Sequence, residues 1–215
     1  MSKPKQPIER NSSAKAPATP NAAMPSEGFS IPYPLLWLAA AVLVVYFPTF
    51  SFGLTELDDK IFINEFREYN EDLHNLVVSF QRGVFDAVKD PYYRPLFLNS
   101  MILNYHMSGD NVTGYHIVNV LFHLISVLLL YKLFRKLNVR ELHAFLLTLV
   151  FAVHPVLSQA VAWIPGRNDT LLTIFILAFL IQSITYAQTG NRKNLLLSAL
   201  FLLLSFFTKE TAVFA

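Results

Sequence analysis

Five stretches of the chain are almost purely apolar, with charge and proline returning between them. They run from about Pro34 to Phe52, Gly114 to Tyr131, Leu142 to Val156, Thr170 to Ala187, and Leu195 to the last residue. A helix rises about 1.5 Å per residue, so roughly 20 apolar residues cross about 30 Å of hydrocarbon. The first, second and fourth runs meet this almost alone. The third is short, and it must borrow the weakly polar residues after His154 or tilt less than average. The pattern predicts an all-α polytopic membrane protein with about five transmembrane helices.

The loop between the first two runs, residues 53–113, is over a quarter of the chain and too long for a mere connection. Within it Phe62, Phe66, Tyr69, Leu73, Leu76, Phe80 and Val84 recur every three or four residues, as on one apolar helical face, with Glu65, Glu68, Glu71 and Asp72 opposite. A second helix is predicted from Pro95, through Leu96, Phe97, Met101, Ile102 and Tyr105. Two amphipathic helices lying on the membrane surface fit both patterns. Residues 1–33, rich in Pro, Ala, Ser and Asn, read as a disordered tail. Residues 34–215 read as one partial transmembrane domain; its closing FFTKETAVFA stops inside an apolar stretch, as in the N-terminal part of a longer protein.

Composition narrows the class. Only 15% of the 215 residues are charged and 53% are hydrophobic, against about 25% charge in soluble domains, which excludes an ordinary soluble enzyme. A net charge of +2 argues against a nucleic-acid binder. With no cysteine, disulfides, thiolate zinc sites, iron–sulfur clusters and cysteine nucleophiles are excluded. Charge placement sets the orientation. With the N-terminus inside, the inner segments 1–33, 131–141 and 188–194 hold ten cations against three acids, and the remainder holds seven against twelve. That split predicts a cytoplasmic N-terminus.

On this topology the polar residues of interest gather at outer helix ends. Asp58 and Asp59 follow the first helix; Tyr92, Tyr93 and Arg94 lie in the loop; Tyr115, His116, Asn119 and His123 mark one face of the second helix. His154 and Pro155 end the third helix, the next turn holds Gln159, Trp163, Arg167 and Asp169, and Lys209 and Glu210 close the fifth run. Plainer readings stand beside each. Asp58 and Asp59 also suit a helix N-cap, Arg94 a lipid headgroup anchor, and the His116, Asn119, His123 stripe an interhelical hydrogen-bond seam. Lys209 and Glu210 are hardest to dismiss, because ionisable groups near a span are costly. The histidines lack compact metal-ligand spacing, and no phosphate-loop or nucleophile-elbow motif is present.

The order of these segments resembles a known family: the acidic pair, YRPL at Tyr93 to Leu96, GYHIVNVLFH at Gly114 to His123, HPVLSQAVAWIPGRNDTLL from His154, and KE at Lys209 and Glu210. It is similar to the N-terminal half of the transmembrane, tetratricopeptide-repeat-associated O-mannosyltransferases and their bacterial relatives, in the GT-C glycosyltransferase superfamily. The resemblance covers about residues 35–215. It implies a polytopic helical fold whose first outer loop bears the catalytic acid, a polyprenyl-phosphate-linked sugar as donor, and a glycoside formed on a protein or glycan acceptor at the outer face. The family's usual motif has a second His and a Glu after His-Pro; here Leu157 and Gln159 stand there, and no acid/base role falls to those positions.

Such a transfer needs a carboxylate to accept the acceptor's proton and cations to stabilise the leaving phosphate. Asp58 or Asp59 supplies the first. Tyr93, Arg94, His116, His154, Arg167, Asp169, Lys209 and Glu210 are the expected donor-phosphate and substrate set, with no metal ligands among them. A secondary transporter or a non-catalytic scaffold subunit are the alternatives, though a transporter usually gathers its polar groups at the midplane. Asn111-Val112-Thr113 and Asn168-Asp169-Thr170 match glycosylation sequons, but no other eukaryote-specific feature is present, which favours a bacterial inner membrane over the endoplasmic reticulum.

Overall fold

The computed structural model describes residues 30–85 and 90–214, so nearly all of the expected tail lies outside the described residues. Every described element is helical. α1 (Pro34–Tyr46) starts on a proline, which fits the first helical turn, and Pro48 tightens its end into a 3-10 turn at Phe47–Ser51. α6 (Val112–Lys136) is capped by Asn111, whose side chain accepts the Thr113 N–H at 3.1 Å, and it ends on Arg135 and Lys136, which complement the helix dipole. α9 (Arg167–Thr189) stops at Gly190, held at φ 66 where a side chain would be strained, and Asn191 caps α10 (Arg192–Phe206) at once. The two helices form an antiparallel hairpin with Ser183 and Ser198 hydrogen-bonded between them at 2.7 Å.

Of the five expected spans, three are long and apolar enough to cross a membrane: Pro34–Ser51, Val112–Lys136 and Ile164–Thr189. The third run is too short alone: α7 (Glu141–Val153) is followed, through a 3-10 turn at Pro155–Leu157, by α8 (Ser158–Ala162), turned by 47°, and only the two taken together reach the length of a span. Pro155 lacks the N–H that a continuous helix needs there. α10, at 15 residues, rises only about 22 Å and is short for a span. Leu36, Val44, Leu147 and Leu196 remain exposed around the bundle, as lipid-facing side chains do. The chain is an integral membrane protein.

The loop between α1 and α6 departs from two simple helices. α5 (Pro95–Ser108) forms as predicted. The first is broken into α2 (Asp58–Lys60), a π-helical turn at Ile61–Glu65, α3 (Arg67–Glu71), α4 (Asn75–Val78) and a 3-10 turn at Ser79–Gln81. The break falls at Asp72, whose backbone is extended and whose Oδ1 accepts the His74 N–H at 2.8 Å. Short polar side chains compete with the helical backbone in this way, and they override the apolar periodicity. Phe62, Ile63, Val84, Phe97 and Met101 still bury one core, while Leu73 and Phe80 are exposed. Tyr105 donates to Glu71 Oε1 at 2.7 Å and Arg67 bridges Glu71 and Asp110, fastening α3 to α5. These bonds, the Tyr105 bond foremost, hold the Glu71 carboxyl below the usual range.

A second core joins Leu38, Val42, Val120, Val127, Ala144 and Ala152, from α1, α6 and α7. The Ile31 N–H donates to Glu141 at 3.0 Å, so the starts of α1 and α7 share one end of the bundle. At the other end Thr113 donates to the Phe50 carbonyl at 3.0 Å. The loop elements and the starts of α6 and α9 all meet there.

Candidate functional site

Two groups of charged side chains form at that end, one inside and one at the rim. The inner group centres on Arg167, the first residue of α9, which is fully buried. Its Nε donates to Asn119 Oδ1 at 2.9 Å, Nη2 to the Tyr115 carbonyl at 3.1 Å, and Nη1 to the Ser100 carbonyl at 3.4 Å. Asn119 in turn donates to the carbonyls of Val161, Trp163 and Ile164 at 3.0 to 3.2 Å. The tight turn before Arg167 needs Gly166: a Cβ there would run into the Gln159 carbonyl oxygen and come within 3.1 Å of Ala160 Cα.

Asp59 belongs to this interior group. It is 1% exposed; Oδ2 accepts the Thr55 N–H at 2.8 Å, and its charge acts on both Arg167 and His116. Asp59 Oδ1 and both ring nitrogens of His116 are buried without a hydrogen bond of normal geometry, although the backbone of Phe52 and Ala162 faces that ring. Asp58, one residue earlier, is half-buried, and among the described residues it makes no hydrogen bond or ion pair. The adjacent acids thus have opposite surroundings.

The rim group consists of two ion pairs. Arg94, at the N-cap of α5, grips Glu210 with both arms of its fork: Nε donates to Oε2 at 2.9 Å and Nη2 to Oε1. The guanidinium also lies 4.7 Å from the Tyr92 ring centre. Its hydrogen bonds hold the Glu210 carboxyl below the ordinary range, against the opposing effect of burial. Lys209 Nζ meets Asp169 Oδ1 at 2.5 Å. Nearby the Leu96 N–H donates to the Phe207 carbonyl at 3.0 Å, and Phe207 packs edge-on against Phe80 and Tyr93. Tyr93 donates to the Phe80 carbonyl at 3.0 Å and keeps its ring partly exposed.

An apolar groove of about 440 Å³ runs between α5, α6 and α9, lined by Leu96, Leu103, Met107, Leu121, Leu171 and Phe175 among others. Leu96 lies two residues after Arg94 and Leu171 two after Asp169, a spacing that turns them to other faces of their helices, and the Asp169 side lines instead a smaller cavity with His123, Ser126, Phe151 and Thr173.

The structure therefore draws Arg94, Asp169, Lys209 and Glu210 together at the rim, and Asp59, His116 and Arg167 inside. His154 is in neither group: it is exposed, and its Nδ1 accepts the Val156 N–H at 3.2 Å, as the cap of the turn it begins. Of the two sequons, Asn168 is buried and Asn111 is taken up in its helix cap. Among the described residues no three His, Cys, Asp or Glu side chains converge as metal ligands. Sequence reasoning missed Thr55 and Ser100, which act through backbone groups that no side-chain pattern reports.

A family model described as Dolichyl-phosphate-mannose-protein mannosyltransferase matches residues 94–215. The chain is 38% identical to the Caenorhabditis elegans protein O-mannosyl-transferase F38B6.6, over 60% of this chain and 18% of that protein. It is 38% identical to Mus musculus protein O-mannosyl-transferase TMTC1, over 61% of this chain and 14% of that protein. With Mus musculus TMTC4 the identity is 35%, over 56% and 18%. The chain thus spans less than a fifth of the length of these relatives. No solved structure matches it.

Proposed function

Because the chain belongs to the dolichyl-phosphate-mannose-protein mannosyltransferase family, we propose that it forms part of a membrane glycosyltransferase. The enzyme moves mannose or a similar hexose from a polyprenyl-phosphate donor to a hydroxyl of a protein or glycan. The reaction takes place at the outer face, periplasmic in a bacterium or lumenal in the endoplasmic reticulum, with the N-terminus in the cytoplasm. The observation that carries this reading is the joint placement of the rim cations and the acidic pair at one end of the bundle.

The lipid tail lies in the groove, against Leu103, Leu121 and Phe175. Its phosphate lies at Arg94 and Lys209; the planar fork of Arg matches two phosphate oxygens, and Lys adds a compact charge. Asp58 is the general base, because among the described residues its carboxylate makes no hydrogen bond or ion pair, while Asp59 is buried and accepts the Thr55 N–H. The acceptor oxygen bonds to the anomeric carbon as its proton passes to Asp58. The bond from that carbon to the phosphate oxygen breaks, its electron pair staying on the phosphate, and in-line attack inverts the centre. Arg167, with its nitrogens already engaged, positions α6 and α9 and does not touch the donor.

The test is transfer of radiolabelled sugar from the polyprenyl-phosphate donor by the full-length protein. Asp58→Asn conserves size and removes the base, so turnover should fall about 10²- to 10⁴-fold with expression unchanged. Normal turnover by Asp58→Asn would place the base elsewhere.

A further inference from the structure

The rim cations are more sheltered than the acids that hold them. Side-chain exposure is 15% for Arg94 and 19% for Lys209, against 46% for Glu210 and 48% for Asp169. An anion arriving from water therefore reaches the carboxylates first, and it can take their places on cations that need not move. Among the described residues neither acid is fixed by a further side chain: Glu210 bonds to Arg94 and Asp169 to Lys209, while the Asp169 carbonyl is engaged by Thr173.

From this geometry we infer that Glu210 and Asp169 are exchangeable counter-anions that compete with the lipid phosphate for Arg94 and Lys209 and so drive release of the spent carrier. The inference rests on the donor reading above. Transfer of the sugar turns a phosphodiester with one negative charge into a phosphomonoester approaching about −2 at neutral pH. Two cations would hold this product more tightly than the donor, and the enzyme would stall. Glu210 and Asp169 offset the difference by re-forming forked and single charge-assisted bonds as the phosphate leaves. They touch no reacting atom, so their effect falls on product affinity and not on the chemical step.

The experiment uses full-length protein in phosphatidylcholine nanodiscs and measures inhibition by polyprenyl monophosphate against the KM for the donor. Glu210→Gln should lower the product inhibition constant about tenfold, the worth of one charge-assisted hydrogen bond, and lower the donor KM less. Single-turnover rate should hold while steady-state turnover slows. Asp169→Asn tests the second pair in the same direction, and Glu210→Asp, which keeps the charge, should return the constant toward wild type. An unchanged or raised constant in both neutral variants overturns the inference, since an acid serving only to brace the fold would weaken binding when lost. Added phosphatidylglycerol should leave the constant unchanged; if it competes in Glu210→Gln, the occupant is a lipid headgroup and the inference is likewise overturned. Failure of polyprenyl monophosphate to inhibit the wild type would instead contradict the donor reading itself.

Discussion

Arg94 and Arg167 stand at the same end of the bundle in opposite circumstances. Arg167 is fully buried and donates to one amide and two carbonyls, with its charge balanced by Asp59 at a distance. Arg94 is partly open, and its fork is spent on a single carboxylate contributed from 116 residues away. Neutral acceptors fixed in the backbone cannot be displaced without unfolding the helix ends that carry them. A carboxylate half in water can be displaced by another anion. The same residue type is therefore an interior brace in one region and, on the function proposed above, a ligand-facing cation in the other. The acidic pair divides in the same way, with Asp59 buried and Asp58 without a hydrogen bond or ion pair among the described residues.

The largest effect expected from this contrast is at the interior. Arg167→Ala leaves Asn119 Oδ1 without its donor, removes a second hydrogen bond from two helical carbonyls and takes away the buried cation nearest Asp59, which should cost about 3–5 kcal/mol of stability. The full-length variant should melt far below wild type in detergent or fail to purify folded. A wild-type melting temperature for Arg167→Ala would erase the distinction between the regions.

How far this arrangement was legible in the sequence depended on the range of the signal. The helices were legible because the apolar runs are local and so is the His154-Pro155 pair that ends the third of them at the bend. That Arg94, Arg167 and Lys209 come to the same end of the bundle was legible from the motifs around them. The partition among them was not. Nothing in one sequence says that Arg94 meets Glu210, or that Arg167 turns inward toward Asn119, since these pairings depend on how α5, α6 and α9 cross. The loop helix failed for a local reason, because periodicity counted Phe66, Tyr69 and Leu73 while the turn chemistry of Asp72 decided the backbone.

A smaller effect sharpens the contrast at the rim. The Glu210 carboxyl is depressed by Arg94, so the pair's contribution is fully present above the ordinary carboxylate range. It is lost as pH falls through the lowered folded value. Half-exposed at its acid, the pair should contribute below about 1 kcal/mol. The acid-side fall in melting temperature should therefore be slightly shallower in Glu210→Gln than in wild type, and an identical profile would mean that the pair is not formed in solution.

The most direct measurement sets the two arginines side by side. Full-length Arg94→Lys and Arg167→Lys are each assayed for melting temperature and for the Kd of polyprenyl monophosphate. Lysine keeps the charge and loses the fork. Arg94→Lys should weaken the Kd several-fold with the melting temperature nearly unchanged, and Arg167→Lys should lower the melting temperature by several degrees while the folded fraction binds normally. The reverse assignment, or equal losses of both properties in both variants, would contradict the division between interior brace and ligand-facing rim.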